Sequence, residues 1–286
     1  MGKSVGPAGR MQIGRVLSTL RERAGLTQAQ AATAAGVSIG TVNRYEGWQD
    51  RASLRIPTVR AIAEACGATA EERDALVRLA STQEEGWWLE TPALPDVLSP
   101  LVSFEKYATY EHVWAESLVP GLLQTPAYAL ALHESARPRA DADTVQANVD
   151  ARIKRQSVLD GGGLHLWVVL KESVLQDEIG GHAVMAEQLG HLIDISRKPH
   201  ITLQVLPRSV GHVAGGGHFL LLGREDADPM ASMAVVYLEL HKRGMYLDAP
   251  PDVQEYKIVF DYLRSEAVDT ETSRTLLDQA RQEHAR

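Results

Sequence analysis

Residues Leu20–Gly47, LRERAGLTQAQAATAAGVSIGTVNRYEG, contain the helix-capping and turn signals of the first part of the chain. Thr27 and Gln30 have the spacing of a capping box, in which a hydroxyl and an amide satisfy free backbone N–H groups at a helix start. Gly36 suits the left-handed conformation that ends many helices. Ser38 suits the cap position of a following helix. The stretch therefore predicts two short helices separated by a tight turn.

The second of these helices is predicted over residues 39–46. Val42 and Tyr45 lie three residues apart and are expected to face inward, because residues at that spacing share one face of a helix. The polar residues between them are left to face outward. A short helix, a glycine turn and a second helix with an outward polar face form the helix-turn-helix layout. We therefore expect a mainly α DNA-binding domain over residues 10–67.

The same stretch resembles the helix-turn-helix of the xenobiotic-response-element (XRE) regulators, the Cro and phage-repressor class. Three strings carry the resemblance: Gly-Leu-Thr-Gln, Ala-x-x-x-Gly-Val-Ser and Val-x-Arg-x-Glu. It implies a lambda-repressor-like fold that places the second helix in the major groove of double-stranded DNA. The residues that it implies as DNA contacts are Gln28, Ser38, Ile39, Gly40, Thr41, Asn43 and Arg44. Arg21 and Glu46 match a pair that forms an internal salt bridge in this family, so we expect a structural role for them.

The side chains implied as DNA contacts differ in what they could recognise. Gln28 would stand at a helix N-terminus, where backbone N–H groups favour a phosphate. Asn43 can pair with an adenine edge, and Arg44 with guanine or a phosphate. Ile39 could touch a thymine methyl group, whereas Gly40 presents no side chain to a base. Sequence specificity is therefore expected to combine few base contacts with DNA shape.

The charge of the chain is divided unevenly. Residues 1–67 carry nine Lys and Arg against four Asp and Glu, a net charge of +5, while residues 68–286 carry −13. A cationic segment on an anionic protein suggests a polyanionic partner such as DNA. Mutual attraction of the two parts explains the division about equally well.

Composition excludes several classes of protein. An apolar run long enough for a transmembrane helix is absent, and residues 1–10 have no apolar segment of a signal peptide. A single cysteine, Cys66, excludes an intramolecular disulfide and multi-cysteine zinc motifs. We therefore expect a soluble, cytoplasmic protein associated with the nucleoid and no membrane partner.

The remainder of the chain predicts a connecting helix and linker over residues 68–100, then a larger mixed α+β domain over residues 101–286. Helices and strands alternate irregularly in the larger domain, and helices are predicted over residues 101–110, which include Phe104, and over residues 141–159. Strands are predicted from Val113, Leu164, Ile201, His218, Ala234 and Met245. The linker contains the pair Trp87-Trp88, which we interpret as packing anchors.

The larger domain resembles the C-terminal domain of WhiJ-like actinobacterial regulators, described as antitoxin-like after Scr-type toxin–antitoxin regulators. The strings VPGLLQTPAYA, ARIKRQSVL, VLKESVL, GHAVMAEQLGHLIDIS, ITLQVLP and VVYLE carry the resemblance. It implies a transcription regulator that is often encoded beside a small partner protein. It implies no particular ligand.

A small-molecule pocket in the larger domain is a further hypothesis. Aromatic walls with a few polar groups suit such a site. The candidate residues are Trp114, Glu116, Gln124, Trp167, Glu172, Tyr237 and Glu239. The alternative, which the pattern favours, is that the aromatic members are strand core. Arg152, Arg155 and Gln156 share a helix face and could hold an anion or pair with nearby acids.

No pattern of catalytic or metal-binding residues stands out. The two GGG strings lack the Gly-Lys-Ser/Thr of a phosphate loop, and neither His-Glu-x-x-His nor Gly-x-Ser-x-Gly occurs. We therefore expect no enzyme activity, metal or cofactor. Two functions remain: a DNA-binding, homodimeric transcriptional regulator whose C-terminal domain senses a small molecule or protein partner, and an antitoxin-like protein that sequesters a small partner and autoregulates its operon.

Overall fold

The computed structural model describes residues 5–49, 53–83, 99–136, 138–210, 217–226, 232–240 and 243–286. The chain divides into two compact units. The first contains five helices, and the second contains the remaining helices and one sheet. Within these ranges, no helix combines the length and the apolar character needed to cross a membrane.

Within the described residues 5–83, the regular secondary structure is helical, as predicted. The helices are α1 (Pro7–Arg23), α2 (Gln28–Ala35), α3 (Ile39–Glu46), α4 (Ile56–Ala65) and α5 (Ala70–Ser81). The predicted capping box between Thr27 and Gln30 is present at the start of α2, and Gly36 ends that helix in the left-handed conformation with φ 67°. Ser38 caps α3 through its hydroxyl. These local signals fix the turn between α2 and α3.

One apolar core joins the five helices. Ile13 and Leu17 of α1 are fully buried, and Val42 of α3 and Ile62 of α4 pack into the same core. Leu76 of α5 also belongs to this core. The sequence assigned α5 to the connecting segment 68–100, but its apolar face is buried with α1 and α4, so it is part of the first unit.

The second unit has helices around a six-stranded mixed sheet, as predicted for this part of the chain. The helices are α6 (Ser99–Tyr107), α7 (Pro126–Ala136), α8 (Ala142–Arg155), α9 (His182–Ile195), α10 (Pro250–Glu266) and α11 (Thr270–His284). The strands are β1 (Tyr110–Ala115), β2 (His165–Lys171), β3 (Ile201–Leu206), β4 (Phe219–Arg224), β5 (Met233–Leu240) and β6 (Arg243–Leu247). The strand order is β3-β2-β1-β4-β5-β6.

The strand directions define the two faces of the sheet. β1 pairs with β2 in parallel and with β4 antiparallel, and β2 pairs with β3 in parallel. Because successive side chains of a strand point to opposite faces, Trp114 of β1 and Phe219 of β4, which are register partners, share one face. Phe260 of α10 packs into the same core cluster as these two residues. Glu111 is three positions before Trp114 in β1, so its side chain points to the opposite face of the sheet.

Two boundaries in the second unit differ from the prediction. The sequence pattern predicts that Tyr110 ends the helix that includes Phe104, but Tyr110 begins β1 and pairs with His165 and Gly223. The helix predicted to run from residue 141 to 159 ends at Arg155 and continues as a 3₁₀ turn. In both places the tertiary structure overrides a continuous helical pattern.

Candidate nucleic-acid interface

Helix α3 is buried on one face and exposed on the other. Val42 and Tyr45 are buried in the core, as the spacing predicts. Ile39, Asn43 and Arg44 are exposed, and Ile39 keeps 55% of its surface accessible. A large apolar side chain with that exposure at the first position of a helix can contact a partner such as a thymine methyl group.

The start of α3 is held by two hydroxyl groups. Ser38 Oγ accepts a hydrogen bond from the backbone N–H of Thr41 at 3.1 Å, and the two hydroxyl oxygens lie 2.9 Å apart. Between them in sequence, Gly40 faces open space: a Cβ added there would meet only Ser38 Oγ, at 3.8 Å. The helix therefore presents bare backbone at Gly40, between Ile39 and Thr41.

A polar network lies beside this surface. Arg21 Nε donates to Glu46 Oε1 at 2.6 Å, and Arg21 Nη2 donates to Glu46 Oε2 at 3.1 Å. Arg21 Nη1 also donates to the Leu26 carbonyl oxygen at 3.0 Å. The hydrogen bonds to Glu46 raise the pKa of Arg21. The network joins the end of α1, the loop after it and the end of α3.

Gln28 belongs to the same network. Its Nε2 donates to Glu46 Oε2 at 2.9 Å. One of the two amide hydrogens is therefore engaged within the protein, and the other is the donor with which the side chain could reach a phosphate. The sequence did not reveal this contact, because eighteen positions separate Gln28 from Glu46.

Arg44 lies on the exposed face of α3, and two more arginines are exposed on α4. The Arg44 guanidinium carbon lies 5.6 Å from the centroid of the Tyr45 ring. Arg55 and Arg60, on the start and body of α4, are exposed. The backbone N–H of Arg55 donates to the Tyr45 hydroxyl at 2.9 Å. This bond ties the start of α4 to α3, so the cations of both helices are displayed from one rigid core.

The seven residues of the pocket hypothesis do not line one pocket, and this part of the hypothesis is wrong. Trp114 and Trp167 lie on the sheet face that packs against α10. Trp167 Nε1 donates to Gln204 Oε1 at 2.8 Å. Val236 belongs to the core beneath α10. Tyr237 is the next residue of β5, so its side chain points to the opposite face of the sheet.

Three polar residues of the pocket hypothesis form hydrogen bonds with other parts of the second unit. Lys171 Nζ donates to Glu116 Oε1 at 2.8 Å, and the Arg208 backbone N–H donates to Glu172 Oε2 at 2.8 Å. Gln124 Nε2 donates to the Val119 carbonyl oxygen at 2.7 Å, which closes the VPGLLQTP loop. These contacts give the three side chains structural roles.

Tyr237 and Glu239 do line a cavity, on the sheet face opposite α10. Its volume is about 30 Å³. Glu111 of β1, Arg152 and Arg155 of α8 and His218 contribute polar side chains to the wall. Leu101, Leu122, Leu166 and Leu220 supply apolar parts. Among the described residues, no group of three or more His, Cys, Asp and Glu is arranged to hold a metal ion.

Arg155 forms an ion pair with Glu105, and pairing with a nearby acid is one of the two roles expected from the sequence. Its Nε donates to Glu105 Oε2 at 2.7 Å, and its Nη2 forms a second, short bond to the same carboxylate. Both side chains are buried. The Glu105 carboxylate raises the pKa of Arg155, against the effect of burial. The pair anchors α8 to α6 beside the cavity.

Comparisons with known proteins support the division of the chain. Residues 12–76 match the family model of a helix-turn-helix domain, which makes this a helix-turn-helix protein of the kind found in DNA-binding regulators. Residues 98–279 match the model described as domain of unknown function DUF5753. Because that match covers more than half of the chain, the chain belongs to the DUF5753 family. No curated protein and no solved structure matches it.

Proposed function

We propose that this protein is a sequence-specific, homodimeric transcriptional regulator. Its first unit binds double-stranded DNA through α3, and its second unit senses a small molecule or a protein partner. The single observation that carries the proposal is the exposed face of α3, where Ile39, Asn43 and Arg44 project from a helix whose opposite face is buried.

Each of these side chains has a groove-reading role in the proposal. Arg44 contacts guanine or a phosphate, Asn43 contacts adenine, and Ile39 contacts a thymine methyl group. Ser38, Gly40 and Thr41 form the helix start, where the backbone approaches the DNA. The Arg21–Glu46–Gln28 network sets the angle of α3. The proposal assigns binding rather than catalysis to both units and places the protein in the cytoplasm, at the nucleoid.

The experiment is selection of bound duplexes from a random DNA pool by the purified full-length protein. Arg44→Ala serves as the variant and Arg60→Ala as the control. A homodimer with two copies of α3 should enrich a palindromic motif whose half-sites lie one or more helical turns, about 34–36 Å each, apart. The motif should be lost for Arg44→Ala and retained for Arg60→Ala.

Failure to enrich any motif at modest salt would contradict sequence-specific binding by the protein alone. If a small protein encoded beside the gene then co-purified with the chain, the alternative function would be favoured. In that alternative, an antitoxin-like protein sequesters a small partner.

A further inference from the structure

The cavity of the second unit contains an arginine that the fold does not use. Arg155 is bound to Glu105, but Arg152, one helical turn earlier, has no hydrogen bond or ion pair with any described residue. Burial and the adjacent Arg155 cation lower the pKa of Arg152 to about 10. The side chain is half-buried, and among the described residues no ion pair replaces the hydration that burial removes, although the Glu239 and Glu105 carboxylates attract the cation.

The chain makes room for this guanidinium. A Cβ added to Gly121 would lie 2.5 Å from Arg152 Nη1 and 3.5 Å from Arg155 Nη1. Any residue other than glycine at this position would displace Arg152. Gly121 belongs to the Pro-Gly-Leu-Leu-Gln-Thr-Pro string, and its carbonyl oxygen accepts from Gln156 Nε2 at 3.0 Å. The loop and α8 thus form the wall of the cavity together.

Two more polar groups of the wall lack partners. Tyr237 Oη and Glu111 Oε2 are buried without a hydrogen bond in the part of the chain that the structure describes. Burial, with the Glu105 carboxylate nearby, raises the pKa of Glu111 well above its ordinary value. The protonated carboxyl group that this favours is a hydrogen-bond donor. Most buried polar groups in proteins are paired, so unpaired ones around one cavity require an explanation.

We infer that this cavity is a binding site for the carboxylate group of a small molecule. Arg152 supplies a two-pronged cationic donor, and Tyr237 and Glu111 supply O–H donors to the same anion. The carboxylate then satisfies the groups that the fold leaves unpaired. The sensing role of this site rests on the proposed function, whereas the binding site itself does not.

Charge and size favour a carboxylate over a phosphate. Among the described residues of the wall, Arg152 is a cation without an ion pair and matches a singly charged anion, and its guanidinium fork matches a planar carboxylate. Glu239 also lines the cavity and is exposed, which opposes a second negative charge. A volume of about 30 Å³ accommodates the carboxylate group itself, so the rest of the ligand would extend toward the opening.

The test measures thermal unfolding of the full-length protein without DNA. The probes are acetate, propionate and benzoate, with chloride at equal ionic strength as the reference and phosphate as a competing anion. A ligand that binds only the folded state raises the melting temperature in a saturable way, from which its Kd follows. We expect a saturable rise with at least one carboxylate and a smaller one with phosphate.

Arg152→Gln is the main variant, and Lys154→Gln, an exposed position on the same helix, is its control. We expect Arg152→Gln to weaken carboxylate binding about tenfold or more, since charge-assisted hydrogen bonds are the strong ones. Without ligand, its melting temperature should be unchanged or higher than that of the wild type. Lys154→Gln should bind like the wild type.

Tyr237→Phe is the second variant, because it removes a hydroxyl without a partner and should fold normally. We expect it to weaken binding several-fold. The inference is overturned if no carboxylate gives a saturable rise, if phosphate binds more tightly than each carboxylate, or if both Arg152→Gln and Tyr237→Phe bind like the wild type. None of these results would change the outcome of the DNA selection. The carboxylate site can therefore be rejected without rejecting the proposal that the protein is a DNA-binding regulator, and the reverse also holds.

Discussion

Gln28 Nε2 donates a hydrogen bond to Glu46 Oε2 at 2.9 Å, which ties the first residue of α2 to the last residue of α3. Arg21 binds the same carboxylate from α1 at 2.6 Å. One carboxylate therefore holds both helices of the helix-turn-helix and the helix that precedes them. The exposed face of α3 keeps its direction because its C-terminal end is fixed from two sides.

Glu46→Ala should destabilise the first unit. The substitution leaves the Arg21 guanidinium, whose side chain is only 14% exposed, without its main partner. We expect a loss of about 1–3 kcal/mol in the free energy of unfolding. Urea unfolding measures it, with Glu22→Ala as the comparison, because Glu22 makes only a 3.5 Å contact with Arg21 and its side chain is 70% exposed. Equal stability of the two variants would show that the network does not hold α3.

Gly14→Ala should also destabilise the first unit, although alanine favours helices. A Cβ at Gly14 would overlap the Glu46 carbonyl oxygen and lie 2.8 Å from the carbonyl carbon. Helix α1 would have to move away from α3, at a cost of about 1–3 kcal/mol. Urea unfolding of the variant is the measurement. A variant as stable as the wild type would mean that α1 and α3 have room to separate.

Gly40→Ala is the matched contrast to Gly14→Ala. The added Cβ would meet only Ser38 Oγ, at an ordinary contact distance of 3.8 Å, so α3 should gain up to about 1 kcal/mol of helix stability. We expect affinity for the selected operator to fall several-fold, because in the proposed complex the methyl group would lie between α3 and the DNA. Unfolding and DNA titration are measured on the same preparation. Unchanged affinity would remove Gly40 from the interface.

The second unit should lose stability in weak acid through His112. Its ring stacks on Phe260 with 4.5 Å between centroids, and burial, aided by Arg264 and Lys257 and opposed by Asp261, lowers its pKa to about 4. The unfolded state, with a pKa near 6.5, binds the proton first, so stability falls as pH drops from about 6.5 toward 4.

His112→Phe should flatten this part of the pH profile, because it removes the titrating group while keeping an aromatic ring against Phe260. At the acid end of the profile, His112 lowers the free energy of unfolding by at most about 3 kcal/mol, which is the free-energy equivalent of the difference between its pKa values in the folded and unfolded states. Melting temperatures at a series of pH values test it. The exposed His165 provides the control, as His165→Gln. Parallel profiles for the wild type and His112→Phe would contradict the assignment.

The helix-turn-helix could be predicted closely from the sequence because its signals are local. Thr27, Gln30, Gly36 and Ser38 act within three or four residues of where they stand, and each has its predicted role. The helices around them are fixed by the same apolar spacing that the sequence displays.

The cavity could not be assembled from the sequence, because strand alternation depends on the boundary of each strand. The first strand was predicted from Val113, but β1 begins at Tyr110. Glu111 therefore fell outside the predicted strand, and its position on the cavity face was hidden. Trp114 and Tyr237 have the residue types of a pocket wall, but strand alternation places their side chains on opposite faces of the sheet. The sequence does show that Arg152 and Arg155, three residues apart, share one face of α8, and both line the cavity.

Recognition of DNA through α3 is tested by comparing the affinities of the wild type, Arg44→Ala and Arg60→Ala for the selected operator and for a scrambled duplex. Fluorescence anisotropy at one fixed salt concentration gives these values. We predict that Arg44→Ala lowers the ratio of specific to non-specific affinity by about 10- to 100-fold, the size of a good base contact of about 1–3 kcal/mol. Its melting temperature should stay at the wild-type value, and Arg60→Ala should keep the ratio. An unchanged ratio for a folded Arg44→Ala protein would contradict recognition through α3.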